Sequence, residues 1–405
     1  MKIEVLKFGG SSLFGEGRIE AVAGRAAERF RNGVAVAVVV SAVGHTTDSL
    51  METANGLTTR LNRREMDQLI STGEQQSVAL LTMALGKLGI PARSFSGWQN
   101  GITACGVFGD GRISSVNPRI VAGSLERGEV AVVAGFQGVT EEGDVITLGR
   151  GGSDLSAVAL AAALEADSCR IYTDVEGIFS ADPRVVPKAF RLERISCGEC
   201  MEMAAAGARV LQARSVELAW RYEVPVFVGS SFERERGTWI MREDVSEGFV
   251  VRSITHDTGV AKVAVLGVPD TPGIAARVFS PLSEAGVGAE MIIQSVMRGQ
   301  VNDIAFLVRK EFLGEAIDIC RGTARDIGAQ GVVFDTEIGK ISLVGAGLSN
   351  HPEAPARMFS ILAAESVNID MISSTSMSIT CVVSSADVEK AAVALHRVFI
   401  EGVPA

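Results

Sequence analysis

Short apolar runs alternate with helical patterns from Met1 to about Ile240, and this alternation restricts the fold more than any other feature of the chain. The clearest strand candidates are IEVLKF, VAVAVVVSA, EVAVVAGF, RIYTDV and VPVFVGS. Strands that helices cover on both faces read as near-continuous apolar runs, as these do. After the first candidate, an apolar stripe at helical spacing runs from Ile19 to Phe30. The pattern predicts an α/β domain whose mostly parallel central sheet is sandwiched by helices.

Beyond about Asp244 one sequence pattern occurs twice. Val263–Ser280 ends in ARVFS and Ile341–Ser360 ends in ARMFS, 80 positions later. Each copy reads strand, proline-containing loop, helix, strand, strand, and the period is too long for a solenoid repeat. The repeat predicts two small α+β modules in tandem, and therefore domains at 1–245, 260–335 and 340–405.

Composition and charge exclude several kinds of protein. The net charge of −10 gives no overall basic field, so neither nucleic acid nor an anionic membrane is expected as a partner. The longest apolar run, Gly33–Val43, is well short of the about 18 residues that span a bilayer. The N-terminal residues lack the apolar core of a signal peptide, so we expect a cytoplasmic protein. The six cysteines include one C-x-x-C pair, Cys197 and Cys200, which is too little for a zinc site, and inert thiols are expected.

Two glycine-rich loops are candidate anion sites. KFGGSS (Lys7–Ser12) follows the first predicted strand, where loop amides of an α/β sheet point at ligands and Lys7 adds a positive charge. It is neither a Walker A box nor a dinucleotide fingerprint, so a purely structural turn remains an alternative. In LGRGGSD (Leu148–Asp154), the glycines allow close backbone approach, and Ser153 or Asp154 can cap the next helix. Arg150 can grip a carboxylate or phosphate with two parallel hydrogen bonds, although a surface arginine is the simpler alternative.

Polar groups elsewhere extend this pattern. A predicted strand ends in Thr173 and Asp174, which can bind ribose or a metal, and the loop that follows carries Arg184, which can reach phosphate; a solvated ion pair is the alternative. Glu74 in STGEQQS lies near a helix start, where it can hold a ligand ammonium or only favour the helix dipole. Together these groups predict a domain that binds a polyanion beside a small zwitterion, as phosphoryl transfer requires.

Six blocks resemble, in this order, the signature sequences of aspartate kinases: KFGGSS, SAVGHTTD, STGEQQS, VAGFQGV, LGRGGSD and YTDVEGIFSADPR. The resemblance covers essentially the whole chain and implies the amino acid kinase fold followed by two regulatory ACT domains of βαββαβ type. It implies ATP-dependent phosphorylation of the L-aspartate side chain to 4-phospho-L-aspartate, with Mg-ATP whose metal is held mainly by the nucleotide. It also implies lysine or threonine as an effector, and either a homodimer or a complex with a separate small regulatory subunit.

The resemblance assigns roles to individual residues. The catalytic residues would be Lys7, Arg150 and Asp154. ATP would be bound by Lys7, Phe8, Gly9, Gly10, Ser41, Thr173, Asp174, Phe179, Ser180, Ala181, Asp182, Pro183, Arg184 and Arg209. Aspartate would be bound by Thr47, Glu74, Arg150, Gly151, Gly152, Ser153 and Asp154, with Glu74 on its ammonium and Arg150 on a carboxylate. The effector would contact Asp270, Gly273, Ile274, Ala275, Gln294, Asn368 and Ile369.

The chain departs from the family pattern at two places. Arg209 in AGARVL stands where many relatives carry lysine, which keeps the charge but not the contact geometry. STSMS (Ser374–Ser378) lacks the acid and the base that lysine-responsive relatives carry there. We therefore expect some amino-acid effector, but not ordinary inhibition by lysine.

Two other functions are compatible with these motifs. One is a kinase for glutamate, carbamate or a nucleotide, against which Glu74 with Arg150 favours an amino-acid substrate and the two modules favour aspartate. The other is an amino-acid sensor whose kinase domain is inactive. Four retained residues argue against it: Lys7, Arg150, Asp154 and Asp174.

Overall fold

The computed structural model describes residues 1–58, 60–208, 211–233, 236–242, 251–295, 301–348 and 351–402. The chain divides into two compact units. Unit 1 consists of Met1–Phe179, Phe190–Ala205 and Arg209–Ser246. Unit 2 consists of Ser180–Ala189, Ala206–Ala208 and Glu247–Ala405, so two short segments that precede the C-terminal modules in sequence are grouped with them.

Strands and helices alternate along unit 1. Its strands are β1 (Ile3–Phe8), β2 (Ala35–Val40), β3 (Ala92–Phe95), β4 (Ile102–Val107), β5 (Asp110–Val116), β6 (Val130–Ala134), β7 (Gln137–Val139), β8 (Val145–Thr147), β9 (Ser168–Thr173), β10 (Arg194–Ser196), β11 (Val226–Ser230) and β12 (Gly237–Met241). Its helices are α1 (Gly10–Leu13), α2 (Arg18–Arg31), α3 (Thr46–Leu57), α4 (Arg63–Ile70), α5 (Thr72–Lys87), α6 (Arg119–Glu126), α7 (Gly152–Ala163), α8 (Cys197–Ala205) and α9 (Ala213–Arg221).

The central sheet of unit 1 has eight strands in the order β10-β12-β11-β9-β1-β2-β6-β3. From β11 to β3 all neighbours pair in parallel, and β12 runs antiparallel to β11. The five strands predicted from sequence are the five consecutive central strands β11-β9-β1-β2-β6, and every residue of β2 and β6 is buried. The predicted mostly parallel α/β sheet is therefore confirmed. Because β9, β1 and β2 are parallel neighbours, the residues that follow them meet at one edge of the sheet.

Helix α2 covers this sheet as its apolar stripe predicts. Val22, Ala23, Ala26 and Ala27 are buried in one cluster with the side chains of β1, β2 and β6. A smaller sheet in the order β5-β4-β7-β8 completes unit 1, and β8 leads directly into the LGRGGSD loop. No helix among the described residues is both long enough and apolar enough to cross a bilayer.

Unit 2 contains two four-stranded antiparallel sheets. Its elements are β13 (Ser253–Asp257), β14 (Val260–Pro269), α10 (Ile274–Glu284), β15 (Glu290–Gln294), β16 (Val301–Arg309), α11 (Leu313–Ile327), β17 (Gly331–Asp335), β18 (Ile338–Val344), α12 (Glu353–Ala364), β19 (Ile369–Ser374), β20 (Ser378–Ser384) and α13 (Val388–His396). The strand orders are β15-β16-β14-β17 and β19-β20-β18-β13.

The second sheet takes its fourth strand from another part of the chain. β13 precedes the first module in sequence, yet it pairs antiparallel with β18 in the position that β17 holds beside β14. All seven residues of β18 are buried, so this strand needs a partner on each side. The sequence repeat predicts the strand, helix, strand, strand core of both modules but does not indicate that β13 pairs with β18.

Candidate active site

A buried ion pair lies at the sheet edge where β1 ends. Lys7 is the penultimate residue of β1, Asp154 lies in the first turn of α7, and their side chains are about nine-tenths buried. Lys7 Nζ is 2.6 Å from Asp154 Oδ1. The two glycine-rich loops of the sequence are therefore joined by a charged contact.

The KFGG loop packs backbone to backbone on the loop that follows β2. A Cβ atom added to Gly10 would lie 2.5 Å from the carbonyl oxygen of Ala42, which no side chain tolerates. At Gly9 the nearest atom to an added Cβ is Lys7 Nζ, at 3.5 Å, an ordinary van der Waals distance. Gly10 is thus required by close approach, whereas Gly9 lies beside the Lys7 ammonium without crowding it.

The LGRGGSD loop enters α7 through a left-handed glycine. Gly151 has φ +73° and precedes the helix, and a Cβ added there would lie 2.8 Å from Gln212 Cβ. The prediction that Ser153 or Asp154 caps the helix is wrong, because Gly151 occupies the cap position and no side chain makes a cap hydrogen bond. Ser153 instead accepts a hydrogen bond from the Ser41 hydroxyl at 2.9 Å, and Asp154 holds Lys7.

Glu74 brings a buried carboxylate to the same place. It lies in the first turn of α5, as predicted, and is only 2% exposed. Its Oε1 accepts the backbone N–H of Ala42 at 2.8 Å, and its Oε2 has no hydrogen-bond partner among the described residues. Burial raises the pKa of Glu74 to about 7. The hydrogen bond from Ala42 lowers this pKa, but its effect is smaller than that of burial. A ligand donor that reached Oε2 would satisfy this carboxylate.

These groups line one pocket of about 230 Å³ within unit 1. Its lining consists of Lys7, Gly10, Ser41, Ala42, Gly44, Thr47, Glu74, Phe136, Gly151, Gly152, Ser153 and Asp154. Most were predicted from the motifs, but Ala42, Gly44 and Phe136 were not. Phe136 has φ +67°, unusual for a bulky side chain, and lies in the VAGFQGV block, for whose residues the sequence predicts no individual role. Among the described residues, no three acidic, histidine or cysteine side chains cluster to hold a metal.

Several predicted residues lie outside this pocket. Arg150 is exposed and does not line it. Phe8 stacks on the Tyr172 ring at 4.9 Å between centroids, inside the core. Thr173 ends β9 and donates a hydrogen bond at 2.9 Å to Asp174, which is exposed. The roles assigned to these residues remain predictions.

The predicted nucleotide segment 179–184 is divided between the two units. Phe179 belongs to unit 1, and Ser180–Arg184 belong to unit 2. Ala181 is buried in the core of the second module, while Arg184 pairs with Asp182 at 2.7 Å and lowers the pKa of that carboxyl. Arg209 lies outside the described residues.

The predicted effector residues fall in both modules. Asp270 accepts a hydrogen bond from Asn302 Nδ2 at 3.2 Å, and Gly273, with φ +88°, precedes α10. Ile274 is buried and Ala275 exposed; Gln294 ends β15, and Asn368 and Ile369 stand at the start of β19. STSMS forms the turn between β19 and β20, where Thr375 Oγ1 accepts the amides of Met377 and Ser378 at 3.1 and 2.9 Å.

The C-x-x-C pair belongs to the interior of unit 1. Cys197 and Cys200 are 1% and 4% exposed, and burial raises the pKa of their thiols to about 11 and about 12. Both therefore carry their protons at neutral pH, which makes them poor nucleophiles and poor metal ligands.

Comparison with known proteins agrees with the fold. The amino acid kinase family model matches residues 2–230, and the ACT domain model matches 263–322 and 341–399. An aspartokinase of Mycolicibacterium smegmatis is 44% identical over 405 residues, covering 98% of this chain and 96% of that protein. An aspartate kinase of Pseudomonas putida is 43% identical over 407 residues, covering 100% and 99%. The crystal structure of E. coli aspartokinase III with aspartate and ADP shares the fold, with a TM-score of 0.81, 24% identity, and coverage of 98% and 99%.

The amino acid kinase family model matches residues 2–230, which is more than half of the chain, and the helix-covered, mostly parallel sheet agrees with it, so the chain is an amino acid kinase by class. Relatives at more than 40% identity that cover nearly the whole chain, together with two ACT domains, identify the family within this class. The chain belongs to the aspartokinase family.

Proposed function

We propose that unit 1 transfers the terminal phosphoryl group of ATP to the side-chain carboxylate of L-aspartate, forming 4-phospho-L-aspartate as the first step toward lysine, threonine and methionine. The observation that carries this proposal is the pairing of charges in one pocket. Lys7, held by Asp154, offers a cation to phosphate, and Glu74 offers a buried carboxylate oxygen to an ammonium group. An amino acid and a polyphosphate are the two ligands that this arrangement complements.

The attacking group needs no general base. An aspartate side chain has an unperturbed pKa of about 3.9, so at neutral pH its carboxylate is already ionised. Asp154 therefore has no proton to remove, and its contact with Lys7 supports a different task. It holds the ammonium of Lys7 against the transferring group, where negative charge must be stabilised.

Nucleotide binding is assigned to the loops at the ends of β1, β2 and β9. Gly9 and Gly10 leave the backbone of the first loop close to Lys7. The Ser41 hydroxyl, which follows β2, donates a hydrogen bond to Ser153. Thr173 and Asp174 follow the neighbouring strand β9. We assign Phe8 and the residues from Phe179 to Arg184, with Arg209, to the same nucleotide. When bound, magnesium would neutralise phosphate charge and would be held mainly by ATP itself.

Aspartate binding is assigned to the other side of the pocket. Glu74 Oε2 would accept the ammonium, and Thr47, at the start of α3, lines the same wall. The backbone from Gly151 to Ser153 borders the pocket, and Arg150, which precedes it, would close on a substrate carboxylate when the loop is occupied. An exposed arginine next to a left-handed glycine can make this movement without disturbing the core.

The two C-terminal modules, with proposed boundaries at 260–335 and 340–405, are proposed to regulate the kinase domain, 1–245. The protein is proposed to act in the cytoplasm. An amino acid, lysine or threonine, would bind at Asp270, Gly273–Ala275 and Gln294, or at Asn368 and Ile369. A homodimer is the assembly proposed, with a separate small subunit as the alternative.

One assay separates these possibilities. ATP turnover is measured with aspartate, glutamate, carbamate and a nucleoside monophosphate as acceptors, and with lysine and threonine added separately and together. We expect turnover with aspartate and a change in rate with at least one effector. Turnover with another acceptor but not with aspartate refutes the proposal, and tight effector binding without any aspartyl phosphate identifies an inactive sensor.

A further inference from the structure

A buried carboxylate outside the pocket holds the strand that leads into the LGRGGSD loop. Asp67 on α4 is 1% exposed. Its Oδ2 accepts the backbone N–H groups of Gly109 at 2.9 Å and Thr147 at 2.7 Å, and its Oδ1 accepts the Thr147 hydroxyl at 2.9 Å. Both oxygens are therefore occupied, and Thr147 is the residue directly before the loop. No ligand has access to this carboxylate, so its function is to hold backbone.

Arg214 on α9 binds the backbone of Leu148, the residue after Thr147. Its Nη1 donates to the carbonyl of Leu148 at 3.2 Å and to Asp110 Oδ1 at 3.1 Å, and its Nη2 donates to the carbonyl of Gly111 at 2.8 Å. Asp67 and Arg214 thus bind consecutive residues, Thr147 and Leu148. Both also bind residues 109–111, which run from the end of the β4–β5 turn into the first two residues of β5 and which we call the 109–111 turn.

The first loop glycine packs against that turn. Gly149 has φ +76°, and a Cβ added to it would lie 2.8 Å from Asp110 Oδ1. The backbone from Thr147 to Gly149 is therefore fixed by Asp67, Arg214 and the 109–111 turn before it reaches Arg150. The direction in which it leaves this frame decides where Arg150 and the start of α7 lie.

We propose that Asp67 and Arg214 are positioning residues, which set the affinity for the amino-acid substrate through the loop 148–152 without touching either substrate. This inference rests on the proposed function. Displacing a substrate-binding group by about 1 Å can cost as much as 10²-fold in rate, so a frame of this kind has a large effect at a distance. In the described part of the chain, the hydrogen bonds of Asp67 and Arg214 go to residues 109–111, 147 and 148, and none goes to the loop after β1, to which phosphate binding is assigned. The effect should therefore fall on aspartate and not on ATP.

The test compares KM for aspartate with KM for ATP in Asp67→Ala, Asp67→Asn, Arg214→Lys and a control, Arg64→Ala. Asp67→Ala leaves two backbone N–H groups buried without acceptors, and we expect KM for aspartate to rise about tenfold or more while KM for ATP stays within about twofold. Asp67→Asn should restore most of the loss, since an amide oxygen can accept both N–H groups and the amide nitrogen can donate to Thr147. Arg214→Lys should resemble Asp67→Ala, because one ammonium cannot span the carbonyls of Leu148 and Gly111 as the fork does.

The control lies on the same helix as Asp67. Arg64 pairs with Asp144 at the surface, so Arg64→Ala should leave both KM values unchanged. If Asp67→Ala and Arg214→Lys lower the melting temperature yet keep the wild-type KM for aspartate, or raise both KM values equally, the positioning role is refuted. If Asp67→Ala does not fold, Arg214→Lys alone decides. A wild-type protein without aspartate turnover in the same assay refutes the proposed function instead.

Discussion

Lys7 Nζ lies 2.6 Å from Asp154 Oδ1, although the two residues belong to β1 and α7 and are separated by most of unit 1 in sequence. The contact places the Lys7 ammonium at the sheet edge and fixes the direction in which the side chain points.

Replacing Lys7 with alanine should lower kcat by about 10² to 10³-fold, the usual effect of losing one group that stabilises transition-state charge. ATP binding should persist, measured by calorimetry beside turnover. Lys188→Ala, which breaks a surface pair with Glu401 in unit 2, is the matched control. Near-normal turnover of Lys7→Ala with ATP bound would remove Lys7 from the mechanism.

Asp154→Asn tests whether that carboxylate orients Lys7 or removes a proton. The substrate carboxylate is already ionised, so we expect kcat to fall by about tenfold at every pH between 6 and 9, with an unchanged pH profile. The measurement is the pH dependence of kcat in both proteins. A loss confined to low pH, or recovery at high pH, would show that Asp154 acts as a base.

Glu74 should make aspartate binding depend on pH near neutrality. Its pKa is raised to about 7, and the ammonium of the substrate binds the ionised form. For the wild type, kcat/KM for aspartate should therefore rise as the pH increases through 7. Glu74→Gln should raise KM for aspartate and abolish this rise. An identical pH profile in the variant contradicts the assignment of Glu74 to the ammonium.

The same carboxyl should reduce stability at high pH. The pKa of Glu74 is higher in the folded chain than in the unfolded one, so folding favours the protonated form. Its stabilising effect is complete below about pH 4.5 and is lost as the pH rises through about 7, by about 3 kcal/mol in all. Relative to wild type, Glu74→Gln should have the higher free energy of unfolding at pH 8 and a similar one at pH 5. Denaturant titrations at the two pH values measure this, and a variant less stable at pH 8 would contradict it.

Neighbouring glycines provide a matched pair of substitutions. Gly10→Ala places a Cβ against the Ala42 carbonyl, and we expect a destabilisation of about 1 to 3 kcal/mol together with loss of activity, because two loops must separate. Gly9→Ala meets only Lys7 Nζ at contact distance, so the fold should be kept. Thermal melts of both variants give the comparison. Equal stabilities would mean that the approach to Ala42 is not a constraint.

Thiol reactivity should separate one cysteine from the rest. Cys105 is exposed on β4, whereas the other five are buried. Titration of the native protein with a thiol reagent should give one fast reaction, which Cys105→Ser removes, and five more only after unfolding. Fast labelling of Cys197 or Cys200 would contradict the inert role assigned to them.

The sequence was sufficient where a local pattern has one physical solution. Continuous apolar runs such as β2 and β6 are buried on both faces, and this identifies central parallel strands. The glycine loops pointed to Lys7, Gly10 and Asp154 because close backbone approach leaves a clear mark in sequence. The sequence did not reveal that Gly151, rather than Ser153 or Asp154, stands at the helix cap, because a side chain that can cap can equally turn to a distant partner.

Sequence alone thus determined the class of sheet, the two repeated modules and the charged groups available for chemistry, since each depends on residues near one another along the chain. Tertiary structure decided which of those groups meet. It paired Lys7 with Asp154 and hydrogen-bonded Glu74 to the backbone of Ala42. It also paired β13 with β18 of the second module, and it bound the backbone before Arg150 to Asp67 and Arg214. Each of these contacts joins residues distant in sequence, and their distances follow from the order of strands in the sheets and not from any local propensity.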